Sequence, residues 1–233
     1  MSRKSRLIVE VGCGESPWLL KRSRCLSNPA RAMPNLTPLM EEYANPRNGD
    51  RFICLDIDPS RVREAIKKTR RFADLKGARI SFQVGDGMKL PFKNGEVDAV
   101  ILANILSAPE PGTAPVSEPY PEELCIDTND KWRMIQEALR VLRNDGLLII
   151  DICQTPCYAT RAMRQIEEKL VSAGRIRLVT QCGWFVGGSD DWHLYHAAFQ
   201  KSGKAVIKPL IIVPWTKEQK EYIRQYAASW TMY

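Results

Sequence analysis

The stretch Leu7–Pro17, LIVEVGCGESP, limits what this chain can fold into more than any other. Leu7-Ile8-Val9 is short and apolar, Glu10 follows, and the run breaks at Gly12-Cys13-Gly14. A run of this kind ending in glycines predicts a buried strand that feeds a tight turn. Glycine carries no Cβ, so a ligand can approach the backbone there. Ser16 can cap a helix, and Pro17 suits the first helical position, where a missing N–H costs nothing. The stretch therefore predicts strand, glycine turn and helix start. In an open α/β sheet such a turn lies outside the carboxyl ends of the strands, where nucleotide-like ligands sit. A purely structural turn can also use G-x-G, so the downstream residues decide between the two.

Downstream, the pattern repeats. Arg51 to Ile57 predicts strand two, followed by a helix from Pro59-Ser60 to about Leu75. Ala78 to Val84 predicts strand three, ending in Gly85-Asp86-Gly87. Val97 to Leu106, nearly all apolar, reads as a central parallel strand covered on both faces. Lys131 to Arg143 predicts a helix that Asn144-Asp145-Gly146 stops, and Leu147 to Cys153 predicts strand five. A helix is expected from about Thr155 to Ala173, then strand six over Arg175 to Gln181, a Gly-rich turn over Gly183 to Asp191, and strand seven over His193 to Gln200. The short connection between the last two makes them antiparallel neighbours. Seven strands alternating with helices make an α/β, Rossmann-like sheet with helices on both faces.

Two proline-rich stretches leave the carboxyl edge of this sheet, Ser27 to Asp50 and Ser107 to Asp127. The acid of strand two, Asp56, lies about 40 residues past the glycines instead of the about 20 of a dinucleotide-binding unit. Roughly 20 residues are thus inserted where a ligand would sit, and an irregular insertion there is expected to be functional, often a lid. The organisation expected is one domain over 1–202 with insertions at about 27–50 and 107–127. A C-terminal extension over 203–233 is expected to pack on the same domain. It holds a strand-like segment and an amphipathic helix, Thr216 to Trp230, opened by a Thr216/Gln219 capping box.

Several residues at strand ends suit a ligand. Asp56 ends its strand and can accept from ribose hydroxyls, whereas Asp58 lies near the helix start and suits an N-cap. Asp86 can accept from an exocyclic amine, with Gly87 letting a base pack close. Asn104, polar in an apolar run, is either a satisfied structural amide or a ligand contact. Asp190, Asp191 and His193, before and at strand seven, are candidate bases or ordinary turn residues.

Composition narrows the classes. The 233 residues are 44% hydrophobic, enough for one sizeable core. No run approaches the ~20 apolar residues of a membrane span, and the basic start MSRKSR lacks a signal peptide's apolar stretch. A cytoplasmic protein is expected. Its seven cysteines fit, since Cys13, Cys54, Cys153 and Cys182 lie in apolar strand-like runs. Two histidines, and Cys153 and Cys157 without a third partner, argue against a metal. The net charge of +7 permits nucleic acid as a partner, but the clusters at Arg3–Arg6, Lys21–Arg24 and Lys67–Arg71 read as solvated faces and ends.

In this order, VEVGCG, an acid ending strand two, GDGMKLPF, VDAVILAN and EALRVLRNDGLLII resemble the class I S-adenosylmethionine-dependent methyltransferases, closest to the small type 11 family. The resemblance spans about residues 6 to 200. It implies sheet order 3-2-1-4-5-7-6 with strand seven antiparallel, and S-adenosyl-L-methionine as cofactor. It also implies roles for named residues. Gly12 and Gly14 would face the methionine and ribose part, and Glu10 would anchor their loop. Asp56 would hold the ribose hydroxyls and Ile57 would pack on adenine. Asp86 would accept from the adenine amine beside Gly87 and Met88, and Asn104 would approach the methionine end or the acceptor. Ser16 replaces the family's third glycine. Because the first strand starts by about residue 6, the Ser27–Asp50 stretch is expected to cover the pocket.

Other readings share parts of this pattern. A nicotinamide-dependent dehydrogenase needs a pyrophosphate at the helix N-terminus, which Ser16-Pro17 suits poorly. An aminopropyltransferase would want an acidic pocket in what is a basic chain. A binding module without turnover would have less use for both Asp56 and Asp86. For a methyltransferase the acceptor is expected to be a small molecule, with RNA or a ribosomal target as the alternative. The oligomeric state is left open.

Overall fold

β1, Leu7–Val11, is buried along its whole length and is flanked by strands on both sides. It pairs in parallel with β2, Arg51–Asp56, and with β4, Val97–Ala103. β2 pairs in parallel with β3, Arg79–Val84. Strands enclosed this way have no solvent face, which is why their sequences are near-continuous apolar runs rather than alternating ones. The computed structural model describes residues 5–15, 17, 49–69, 79–103, 105–108, 125–155, 176–186, 192–201 and 211–212.

The remaining strands are β5, Leu142–Thr155, β6, Ile176–Val186, β7, Trp192–Lys201, and the two-residue β8, Ile211–Ile212. The sheet order is β3-β2-β1-β4-β5-β7-β6-β8. β7 runs antiparallel to both β5 and β6. The order therefore contains the expected 3-2-1-4-5-7-6, and β8 adds an edge strand parallel to β6 from the C-terminal segment.

Two helices are described. α1, Pro59–Thr69, starts where Asp58 accepts from the Ser60 backbone N–H and hydroxyl, both at 2.7 Å. Asp58 is thus the helix cap the sequence suggested, with Pro59 in the first turn. α2, Thr128–Val141, is capped by Asp127, whose carboxylate accepts from Asp130 N at 2.8 Å. Its buried side, including Met134, Ile135, Ala138 and Leu139, joins Val9, Val11, Leu55, Val100 and Leu148 in the main core.

Several boundaries differ from expectation. α2 ends at Val141 rather than Arg143, and β5 starts at once at Leu142. Asn144-Asp145-Gly146 therefore does not stop the helix. It forms an irregularity in the strand: Val97 faces Leu142 while Ala99 already faces Leu147, with Asp145 at φ 65°. β4 ends at Ala103, and Ile105–Ser107 turns as a single 3₁₀ unit. Thr155 closes β5 instead of opening a helix, and β6 continues through Gly183 to Val186.

Arg6 also departs from the solvated end expected of it. It is buried and clamps Asp50, with Nε 3.1 Å from Oδ2 and its backbone N 3.0 Å from Oδ1. Lys67 and Lys68 do lie on an exposed face, paired with Glu64 and Glu15. Cys13 and Cys54 are buried as expected. The stretches 18–48 and 109–124, and the helices expected near 156–173 and 216–230, lie outside the described residues. Among the described residues no helix is long and apolar enough to cross a membrane, and no group of His, Cys, Asp and Glu could hold a metal ion.

Candidate functional site at the carboxyl edge of the sheet

The turn after β1 is hooked onto the end of β2 first through the backbone. Gly12 N and Cys13 N both donate to the Leu55 carbonyl, at 2.8 and 3.0 Å. This bend needs positive φ at Gly12 (71°) and Gly14 (55°), a region a side chain rarely tolerates. The two glycines otherwise differ. A Cβ at Gly12 would lie 2.7 Å from Ile105 Cδ1, whereas one at Gly14 would meet nothing within 4 Å among the described residues. Gly12 is filled in by protein, and Gly14 opens to space that a ligand can occupy.

Asp56 ties the two turns together. One carboxylate oxygen accepts from Gly14 N at 2.8 Å, and the other from Asp58 N at 3.0 Å. The residue is only 5% exposed. A carboxylate has about four acceptor positions. Two are taken here, and no cation is paired with Asp56 among the described residues. Glu10, on β1, is buried nearby. Burial, reinforced by the negative charges of Glu10 and Asp56, pushes the Cys13 thiol far up. Cys54 is raised in the same way, by burial first and Glu10 second. Both thiols are neutral, and neither is a nucleophile.

Next to Asp56 the surface turns apolar. Ile57 is 69% exposed and Val84 is 56% exposed, the two large apolar side chains left open among the described residues. β2 and β3 place Asp56 directly beside Val84. Asp86 follows two residues later, partly buried. Its Oδ1 accepts from Met88 N at 2.8 Å, and its carbonyl accepts from Lys89 N at 3.0 Å. Those bonds fold the chain into a tight turn and leave Oδ2 without a donor among the described residues. An exposed apolar strip between two carboxylates, with open space at Gly14, fits a ligand with a flat apolar ring, a hydroxylated middle and a polar tail.

The predicted residues fare differently. Gly12, Gly14, Asp56, Ile57 and Asp86 come together at the carboxyl ends of β1, β2 and β3. Gly87 does not face a ligand space: a Cβ there would lie 2.7 Å from Val11 Cγ1 and 3.3 Å from Met134 Sδ. Its lack of a side chain lets the turn pack onto β1 and α2. Met88 packs partly into the core rather than standing open. Asn104, Asp190 and Asp191 lie outside the described residues. His193 lies near the start of β7, opposite Thr155 at the end of β5 and Phe185 of β6, which is the same edge of the sheet.

Three residues escaped the sequence reading. Val84 reads in the sequence as an ordinary strand residue, yet it stands exposed at the end of β3. Ile105 was counted into β4, yet it turns back over Gly12. Lys131 is 2% exposed, with its ammonium 2.6 Å from the Ala108 carbonyl, so it pins the chain just past β4. A lysine in an amphipathic helix carries no sequence mark that it will be buried.

Comparisons with known proteins bear on the fold. A family model described as a methyltransferase domain matches residues 37–115. No curated protein matches the sequence. Solved structures do. A SAM-dependent methyltransferase from Methanosarcina mazei aligns over 86% of this chain and 94% of its own, at 14% identity and a TM-score of 0.53. The N-methyltransferase NodS from Bradyrhizobium japonicum aligns over 85% and 86%, at 14% identity and 0.52. Magnesium protoporphyrin IX methyltransferase from Synechocystis, solved with bound SAH, aligns over 85% and 75%, at 14% identity and 0.50. At such identities the likeness is one of fold.

Proposed function

We propose that this chain, which has the fold of the class I S-adenosylmethionine-dependent methyltransferases and resembles them in sequence, transfers a methyl group from S-adenosylmethionine to a small-molecule acceptor. The observation that carries the reading is Asp56. It is a buried carboxylate with no cation among the described residues, locked by Gly14 N and Asp58 N beside the glycine turn. Its remaining acceptor positions suit hydroxyl donors such as those of a ribose.

The residues present fit the cofactor. Asp56 would hold the ribose hydroxyls, Ile57 and Val84 would sandwich or edge the adenine, and Asp86 Oδ2 would accept from its exocyclic amine. The open side of Gly14 would admit the methionine portion, and buried Glu10 would support the turn from below. Asn104 would approach the methionine end or the acceptor. When bound, the cofactor supplies a methyl group on a sulfonium, already activated for in-line displacement. The protein's part is then mainly placement, which can supply up to roughly 7–11 kcal/mol of the barrier. Where the acceptor must lose a proton, Asp190, Asp191 and His193 are the candidate bases.

A small acceptor, rather than RNA, is favoured because part of the described basic surface is already ion-paired. Lys67, Lys68, Arg133 and Arg143 are each paired with a carboxylate, Glu64, Glu15, Asp130 and Asp98 in turn. Arg51, Arg63, Arg79, Lys89 and Lys93 show no ion pair among the described residues, so the salt dependence of RNA binding decides how far the pairing counts against a phosphate track.

Titration calorimetry with S-adenosylmethionine, S-adenosylhomocysteine and NAD tests the cofactor. Binding of the first two and not NAD is expected, and NAD binding alone overturns the proposal. A labelled-methyl assay on cell extract, split into small-molecule, RNA and protein fractions, tests the acceptor. Label confined to RNA, with binding that falls steeply as salt rises, would replace the small molecule with RNA.

A further inference from the structure

The turn that carries Asp86 is held from outside the sheet, by two residues on α2. Glu137 Oε1 accepts from Leu90 N at 2.9 Å. Arg140 grips the same segment: Nη2 is 3.1 Å from the Leu90 carbonyl, and Nη1 is 2.9 Å from the Phe92 carbonyl and 2.8 Å from Asn94 Oδ1. The two side chains also bind each other, Nη2 to Oε1 at 2.6 Å and Nε to Oε2 at 2.7 Å. Backbone adds one more tie, from Gly95 N to the Arg140 carbonyl at 3.1 Å. At the other end of the turn, the missing Cβ of Gly87 brings the chain against Met134 of the same helix. Leu90 is thus pinned through both its N–H and its C=O, four residues after Asp86.

We propose that Glu137 and Arg140 are positioning residues for the adenine end of the cofactor site, acting through the 85–95 loop to set where the free oxygen of Asp86 points. The inference rests on the methyltransferase reading above. Its physical basis is that Asp86 lies outside the strand ladder. β3 ends at Val84, and the tie from Gly85 N to the Asp56 carbonyl is the last backbone bond to β2. Beyond it, Asp86 is oriented by its own turn and by whatever anchors that turn. The anchor found is a charge-assisted fork, the hydrogen-bond type with the strongest geometric demand. The pairing also holds the Glu137 carboxyl below the usual glutamate range, chiefly through the Arg140 hydrogen bond, so it stays ionised near neutral pH.

Arg140→Lys keeps the charge but cannot span two carbonyls and a carboxylate at once. Glu137→Gln keeps one acceptor and removes the charge. Calorimetry would compare S-adenosylhomocysteine with S-inosylhomocysteine, which carries a carbonyl where the amine stood. Wild type is expected to prefer the adenosyl form. R140K and E137Q are expected to lose about tenfold in affinity for it, in the range for coupled neighbours, and most of the preference. In an Asp86→Asn background the same substitutions should change affinity by less than about twofold, because the group they position is gone. Melting curves run alongside, and E137Q carries the cycle if R140K does not fold.

A fall in melting temperature with affinity and preference unchanged would make the pair merely structural and overturn the inference. So would Asp86→Asn without effect on binding, which leaves the methyltransferase reading standing. Failure of wild type to bind either nucleoside overturns both.

Discussion

The two ends of β2 carry an aspartate each, Asp50 just before the strand and Asp56 as its last residue, and both are buried. Asp50 is neutralised by the Arg6 guanidinium and accepts from Arg6 N as well. Asp56 accepts two backbone N–H groups and has no cation among the described residues. The amino end of the sheet is therefore closed electrically, with its charge compensated inside the fold. Among the described residues the carboxyl end is held by hydrogen bonds without an ion pair, which leaves Asp56 spare acceptor positions. Burial alone does not separate a structural acid from a binding one. The partner does.

Removing Asp50 should have the largest effect on the fold. Asp50→Ala removes the carboxylate that the buried Arg6 guanidinium grips, a loss of about 3–5 kcal/mol by urea unfolding. Affinity for S-adenosylhomocysteine, measured where the variant is still folded, should stay within about twofold of wild type, since ordinary substitutions at a distance add independently. A specific loss of binding would erase the contrast between the two ends.

Asp56→Asn should invert that outcome. The amide has one acceptor oxygen where the carboxylate had two, so one of the Gly14 and Asp58 N–H groups faces an amine. Stability should fall by about 1–3 kcal/mol, while affinity falls at least about tenfold. Equal affinity in wild type and variant would remove Asp56 from the site.

Ile57→Ser should leave stability within about 0.5 kcal/mol, because the side chain is already exposed. It should weaken cofactor binding by up to about tenfold through lost apolar burial in the complex. A stability loss without a binding loss would mean that Ile57 packs on protein instead.

The smallest effect belongs to an acid between these extremes. The Glu137 carboxyl is held below the ordinary value of 4.5, first by the Arg140 hydrogen bond. Its folded value is lowered, so its stabilisation is present above about pH 4.5 and is lost as pH falls through the lowered value. The stability gap between wild type and E137Q should hold from neutral pH down to that point and close below it. Partial exposure keeps this gap smaller than that for Asp50. A gap that widened on acidification would contradict the pairing.

Much of the site was legible because it is local. LIVEV, RFICLD and VDAVILA are apolar runs that only a covered strand can accommodate, and the residues just past them necessarily lie at one edge. Asp58 was legible as a cap because Pro59-Ser60 follows it. Arg6 was misjudged because its partner is 44 residues away, and a basic terminus looks solvated until the strand beside it is known. At Gly87 the missing side chain makes room for Val11 and Met134, a contact just as hidden in the sequence. A glycine that makes room for a ligand and one that makes room for a helix look alike until α2 is in place.

By itself, then, the sequence determined the parallel sheet, the glycine turn and the acids at its carboxyl edge, since strand, turn and cap are set by residues a few positions apart. The tertiary structure decided which of those groups are compensated and which stay available. It paired Arg6 with Asp50, laid Ile105 over Gly12, left Ile57 and Val84 open and strapped the Asp86 turn to α2. Those outcomes depend on distances across 44 and 47 residues of chain, the first set by strand pairing and the second by the packing of α2 on the sheet.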